Sequence, residues 1–326
     1  MSKSENQNNG GREWNDGIHA AHGSFLQSSE WGELQAALGR PMLRVSEGGC
    51  AGLVLKRSLP LGFCYLHAPR GPVGDVNSDA SLAAWTKAAI RESSEWKPLF
   101  LRIEPPPKTP EDVLVRTGFT RAPDAQPHET RVMDLEKTEE ELLRDMEHDT
   151  RYAIRTAEKR GVVVRVIADV SLRRAAFPQF WGLFKETSRR HGLADYSEEY
   201  YRRVAELSGE CPATLFLAEH EGRPVGGAIM VAFRDTAVYL YAASAGGMGK
   251  LNAPSATLWA LMQHAKAQGI RTLDLWGVSE SKPEWRGVSD FKKSFGGALL
   301  TYPGTWDLPL RPFWHRLYSV AKSLRS

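Results

Sequence analysis

The chain has 326 residues, 42% hydrophobic and 25% charged, which is apolar material for two globular cores and more than one ordinary domain holds. Its 42 Lys and Arg against 39 Asp and Glu leave a formal charge of +3, too balanced for a protein that wraps nucleic acid over its whole surface. Three cysteines without CxxC spacing, Cys50, Cys64 and Cys211, argue against a disulfide framework or zinc cluster, and nine scattered histidines indicate no metal.

The first residues are polar, and disorder is expected over residues 1–20. The longest apolar runs, such as 51–55 and 228–233, fall far short of a bilayer span, so no transmembrane segment and a cytoplasmic location are expected. Ser28 or Ser29 can cap a helix in which Trp31, Leu34 and Leu38 fall at helical spacing, and Gly39 ends it. Strands are expected over 41–45, 51–56 and 62–67, the first two joined by a Glu47-Gly48-Gly49 turn. A helix over 81–93 turns Leu82, Trp85, Ala89 and Ile90 to one face. Leu99-Phe-Leu-Arg-Ile-Glu104 alternates as a strand and stops at Pro105-Pro-Pro107, which cannot donate to a ladder. A short helix over 111–117 then leads through Gly118-Phe119 to a strand near 130–135.

The pattern starts again at Thr138-Glu-Glu-Glu141, a capping box, and continues with a helix over 150–160 and a β-branched strand over 162–167. Pro178 suits the first turn of a helix running to Arg190, and another helix follows over 197–207. Strands over 215–219, 225–233 and 237–242 form a meander, followed by a helix over 254–268 and a strand over 272–276. Next comes Trp285-Arg-Gly-Val-Ser-Asp-Phe-Lys-Lys-Ser-Phe-Gly-Gly297. Phe291 and Phe295, four apart, share a helical face and anchor the segment, while Gly296 and Gly297 end it. Lys292 and Lys293 are left as cations beside the preceding strand. A strand near 298–302 and a helix over 312–324 close the chain.

Meander, helix, strand, short helix, strand thus occurs twice, over about 41–135 and 215–306. The order predicts an α/β protein with mixed sheets flanked by helices, and it resembles the acetyltransferase (GNAT) fold. Gly246-Gly-Met-Gly-Lys250 is not a phosphate loop, because Ser244 and Leu251 stand where the motif needs Gly and Ser/Thr. No dinucleotide fingerprint or clear acyl-CoA glycine signature is present. Arg151, Arg155 and Lys159 fall on one helical face, either a solvated basic stripe or a surface that reads phosphates. Tyr239 and Tyr241 alternate with Val238 and Leu240, which points both to one sheet face, in a core or along a groove.

Several segments, in order, resemble the Fem-type peptidyltransferases (FemABX). They are Phe25-Leu-Gln-Ser-x-x-Trp31; Leu101-Arg-Ile-Glu-Pro105; Arg151-Tyr-x-Ile-Arg-x-Ala-Glu-Lys-x-Gly161; Thr187-x-x-Arg-His-Gly192; Tyr239-x-Tyr241 with Ala253-Pro254; Leu273-Asp-Leu-Trp-Gly277; and Val288-x-x-Phe-Lys-Lys-x-Phe-Gly296. The resemblance implies two tandem GNAT-like domains without a coiled-coil arm. They are expected over 21–135 and 136–307, with a C-terminal helix over 308–326 returning to the first. It implies aminoacyl-tRNA as donor substrate, with no cofactor and no metal. The acceptor would be a muramyl-pentapeptide precursor, UDP-linked or lipid II, with peripheral contact to the inner membrane face through lipid II.

By position, the resemblance assigns Arg190 to the precursor's pyrophosphate and Glu104 and Tyr241 to its groove, with Tyr239 and Trp31 beside them. Phe291 and Lys292 would stand at the reacting centre. Gln35 occupies a place where members acting on the UDP-linked precursor carry a phosphate-binding Lys, which keeps lipid II open. Arg151, Arg155, Lys159 and Lys293 would face tRNA. An aminoacyl ester is already activated, so the site needs orientation and oxyanion stabilisation rather than a nucleophile. Lys292 is expected to supply the stabilisation as a cation near its ordinary pKa, and Glu104 and Asp274 are the candidate bases. The rival readings are an acyl-CoA-dependent N-acyltransferase and a non-catalytic homologue that only binds tRNA or precursor.

Overall fold

The computed structural model describes residues 3–191 and 196–323; Gly192 and Leu324, named above, lie outside them. The chain divides into two compact units, one built from the chain up to His128 and from Thr301 onward, the other from Glu129–Leu300.

The first unit opens with α1 (Lys3–Ala20) and α2 (Ser29–Ala37). Residues 1–20 were expected to be disordered, yet α1 is tied down by its C-terminal half. Ile18 and Asn15 are buried, Asn15 Oδ1 accepts the Ser29 N–H (2.8 Å), and Trp14 Nε1 donates to Gln27 O (2.8 Å). Polar composition concealed these few anchors. Next come β1 (Met42–Glu47), β2 (Cys50–Ser58), β3 (Cys64–Ala68), β4 (Val73–Gly74), α3 (Asp79–Glu92), β5 (Phe100–Ile103), α4 (Glu111–Arg116) and β6 (Thr120–Ala122). Gly48 and Gly49 both take positive φ at the β1–β2 turn, which is why that pair of residues is needed there.

The second unit holds β7 (Glu129–Asp134), α5 (Glu139–Asp145), α6 (His148–Lys159), β8 (Val163–Ile167), α7 (Val170–His191), α8 (Glu198–Ala205), β9 (Ala213–His220), β10 (Arg223–Phe233), β11 (Thr236–Ser244), α9 (Ala253–Ala267), β12 (Thr272–Val278), α10 (Arg286–Lys293) and β13 (Ala298–Thr301). The capping box at Thr138 and Glu141 forms with both hydrogen bonds. Pro178, expected in a first turn, lies instead inside α7. That helix starts earlier because Asp169 Oδ1 accepts the Ser171 and Leu172 N–H groups (2.9 and 3.0 Å), and buried Ala176, Phe177 and Phe180 carry it past the proline.

Sheet order is β1-β2-β3-β5-β14-β6 in the first unit, where β14 is Thr305–Pro309 and β4 lies on β2, and β13-β7-β12-β11-β10-β9-β8 in the second. Strand β14, followed by α11 (Pro312–Ser323), returns to the first unit and pairs antiparallel with β5 and β6. Conversely, β7 pairs antiparallel with β12 in the second unit. Boundaries expected after 135 and 307 are therefore displaced: β7, the last strand of the first copy, sits in the second unit's sheet, and β14, which the sequence does not announce, joins the first, while β13 forms at the expected 298–302 strand and stays in the second. Buried Arg102 on β5 holds β14 through a bidentate pair with Asp307 (2.7 and 2.8 Å), and His315 of α11 reaches the same carboxylate (3.0 Å).

Among the described residues, β3 and β5 pair in parallel in the first sheet, as do β11 and β12 in the second. In the second unit β11 and β12 pair only from Thr236–Thr272 to Val238–Asp274. Beyond that level both strands are irregular: β11 carries an extra residue between the partners of Ile229 and Met230, and β12 breaks register with β7 between Asp274 and Gly277. The sheet is thus split at its centre, with a core of Phe216, Leu258, Leu261, Leu273 and Phe295 beneath it.

Candidate active site

The irregularity in β12 brings Asp274, Trp276 and Lys292 together. Trp276 takes a left-handed conformation (φ 59°), and its N–H donates back to Asp274 Oδ1 (2.7 Å), which also accepts from Thr130 Oγ1 on β7. This exposes two carbonyls to one partner: Lys292 Nζ donates to Gly277 O (2.8 Å) and Trp276 O (3.3 Å). Lys292 is only 7% exposed. Burial pushes its pKa down to about 8, against the opposing pull of the Asp274 carboxylate. The expectation of an ordinary lysine pKa is therefore corrected, although the group still carries its proton roughly nine times in ten at pH 7.

Phe291 and Phe295 meet edge to face with centroids 5.2 Å apart, and Phe295 is wholly buried. That contact fixes the rotation of α10 and so aims Lys292 inward and leaves Lys293 exposed. Lys293 opens onto a pocket of about 450 Å³ beside α10, whose lining includes Arg131, Lys282, Arg286, Glu280 and Asp290. Cations outnumber carboxylates there, and no sequence motif marks this pocket because its residues come from three separate segments.

Tyr239 and Tyr241 do not share a face. The extra residue in β11 flips the alternation between them, since Tyr241 pairs with Ile229 and Tyr239 with Met230. Tyr239 is buried in the core under α9, and burial raises its pKa. Half-buried Tyr241 faces α7 and α8, with its hydroxyl 3.2 Å from that of Tyr200 and its ring edge-on to Phe184 and Tyr201. Burial, then the neighbouring tyrosines, lift its pKa well above normal, so it offers a neutral hydroxyl. Arg190 comes to the same end of β11, donating to Ser244 O (3.1 Å) and Oγ (3.2 Å) with Glu186 3.7 Å away.

Arg151 does not stand with Arg155 and Lys159. It turns inward and donates to Leu143 O (3.2 Å) and Met146 O at the C-terminal end of α5, a structural cap. Arg155 and Lys159 remain exposed, beside Tyr152 on the same face of α6.

Three expected site residues belong to the first unit, and all are buried. Trp31 packs edge to face on Phe25 (5.2 Å), and Gln35 Oε1 accepts from Arg40 (2.8 Å) while its buried Nε2 has no hydrogen-bond partner among the described residues. Glu104 receives the Gln126 N–H (2.7 Å), the Thr305 hydroxyl (3.0 Å) and a hydrogen bond with His67 Nε2 (3.2 Å). Burial opposes its charge, but His67, Arg70 and Gln126 outweigh that and hold the carboxyl below its usual range. His67 is itself kept neutral by burial. A carboxylate so satisfied is a poor base, and the same holds for Asp274, whose Oδ1 already serves two donors.

Comparison with known proteins bears on this arrangement. The FemAB family model matches residues 116–221 and 216–323, which include α10 and the split strands. The chain belongs to the FemAB family. Among curated members, a lipid II:glycine glycyltransferase of Staphylococcus saprophyticus is 27% identical over 234 residues, covering 64% of this chain and 55% of that protein. A lipid II:glycine glycyltransferase of Staphylococcus epidermidis is 27% identical over 226 residues, 63% of this chain and 53% of its own length. The matches span about half the length of these relatives. The crystal structure of FemX superposes with a TM-score of 0.80 at 20% identity, covering 94% of this chain and 98% of that one. The C-terminal domain of a putative lysylphosphatidylglycerol synthetase from Agrobacterium fabrum follows at 0.63 and 11%, covering 95% and 96%. At these identities the two structures show a shared fold for the FemAB chain.

Proposed function

We propose that this protein transfers an aminoacyl group from aminoacyl-tRNA to the side-chain amine of the stem peptide in a peptidoglycan precursor. Family membership supports the reaction class, and the relatives' names favour lipid II as the acceptor. The observation that carries the reading is the Lys292 ammonium, buried and fixed on two carbonyls where β11 and β12 part.

The acceptor amine attacks the ester carbonyl carbon, and the C–O bond to the ribose oxygen breaks. The amine nitrogen gives up a proton and the ribose oxygen gains one. Two of the three Lys292 N–H groups are spent on Trp276 O and Gly277 O, which leaves one for the developing oxyanion. A preorganised charge in a low-dielectric setting stabilises that oxygen more than the same charge in water. With a pKa of about 8, Lys292 is also suited to pass a proton to the departing ribose oxygen. Glu104, which accepts from two donors and pairs with His67, and Asp274, whose Oδ1 accepts from two, are left out of proton transfer. Phe291 walls the same side of α10 with apolar surface. Arg155, Lys159 and the basic pocket at Lys293 offer phosphate contacts for the donor, while Arg190 and Tyr241 offer a cation and a neutral hydroxyl to the acceptor.

The test is to incubate the protein with charged tRNA pools and, in parallel, lipid II, UDP-linked precursor or neither, reading products by mass spectrometry. A mass gain of one aminoacyl residue on a precursor is expected. Turnover with acetyl-CoA and a peptide amine, and none with aminoacyl-tRNA, would refute the proposal.

A further inference from the structure

Helix α11 buries one side and leaves an apolar stripe on the other. His315 and Tyr318 point inward, to Asp307 and to the Phe100 ring (5.1 Å). Phe313 (72% exposed), Leu317 (53%) and Val320 fall at i, i+4 and i+7 on the outward side. Beside them is the turn after β2, where Leu61 is 91% exposed, and Phe63 packs on Trp314 with centroids 4.7 Å apart and ring planes tilted by 40°. Leu61 also sits at φ 61°, a conformation that glycine or asparagine adopts at lower cost. A large apolar side chain is thus held outward at a strained tip, next to an outward apolar helix face.

Cations predominate around this face, although Glu95 lies next to Trp96, over whose ring Lys56 sits (5.9 Å). Residues 48–74 and 308–326 contain no Asp or Glu. Lys56 and Arg311 both act electrostatically on Cys64, next to Phe63, which places them at the same corner. Arg316 is exposed one turn along α11 from Phe313. Among the described residues, no carboxylate forms an ion pair with Lys56, Arg57, Arg311 or Arg316.

We propose that α11 and the Leu61 turn form a docking face for an anionic lipid bilayer, with Leu61, Phe313 and Leu317 entering the headgroup boundary. An apolar stripe rimmed by cations fits a negatively charged, apolar-cored surface and fits a second, equally basic copy of itself poorly. The helix lies along the interface, since among the described residues no helix is long and apolar enough to cross a membrane.

Full-length protein is floated with vesicles of phosphatidylcholine alone or with roughly one-third phosphatidylglycerol. These vesicles contain no precursor, so the result is independent of transferase activity. The wild type is expected to float with the anionic vesicles and to be released by salt. Leu61→Ser, Phe313→Ser and Leu317→Ser together are expected to lower partitioning by about tenfold or more, with the melting temperature unchanged. Arg311→Gln with Arg316→Gln should lower it about 30-fold at low salt, from about 1 kcal/mol per charge. Failure of the wild type to float, or equal flotation of all variants, overturns the proposal. So does a wild-type dimer in light scattering that the apolar variant converts to monomer, because the face then belongs to a second copy.

Discussion

Replacing Lys292 by methionine keeps most of the side-chain volume and removes the ammonium. In the folded chain this amine has a pKa of about 8, against an ordinary value of 10.5. The folded pKa is the lower one, so between these values the unfolded chain binds more protons, and stability rises with pH across that window. Holding the charge in its buried site therefore costs the wild type about 3 kcal/mol at pH 7 and about 1 kcal/mol at pH 9.5. Methionine carries no such cost at either pH. It does leave Trp276 O and Gly277 O without their donor, an offset of about 1–3 kcal/mol that is nearly independent of pH. Urea unfolding of both proteins at pH 7.0 and 9.5 isolates the titration, because every other group cancels in the difference. The wild type should gain about 2 kcal/mol on Lys292→Met between the two values. A stability difference that stays flat with pH would mean that Lys292 is not buried as a shifted cation, and the electrostatic account of the site would fall with it.

The basic helix separates by the same logic. Arg151→Ala removes the cap on α5 and should cost about 1–3 kcal/mol in a thermal melt. Arg155→Ala and Lys159→Ala should leave stability within about 0.5 kcal/mol, and each should lower the salt slope of tRNA binding by about one. In the first unit, Asp307→Asn leaves Arg102 buried without its counter-charge and should destabilise by about 3–5 kcal/mol in denaturant titration. Arg102→Met combined with Asp307→Leu should recover most of that loss, since both charges are then gone.

Local patterns made the order of elements readable. The Ser28 cap, the Gly48-Gly49 turn, the Thr138 capping box and the Phe291–Phe295 anchor all formed as their spacing implied. Pairing partners far apart in sequence are not readable, and so neither the placing of β7 in the second sheet nor the strand β14 in the first is announced by the sequence. The irregularity in β11 was equally hidden, because one unpaired residue leaves the alternating pattern of Tyr239 to Tyr241 intact while reversing what it means. For Lys292 the sequence implies an ordinary lysine pKa, and burial lowers it instead. Its spacing of three from Phe295 already put it near the buried face, but only the paired carbonyls at Trp276 and Gly277 show why a lysine is tolerated there.

The most direct test of the proposed chemistry is the single-turnover rate of aminoacyl transfer from charged tRNA to lipid II by wild type and Lys292→Met, with precursor binding measured on the same samples. An oxyanion donor is worth about 10²–10³ in rate, so a loss of that size with unchanged precursor affinity is the predicted result. Transfer at the wild-type rate by Lys292→Met would contradict it.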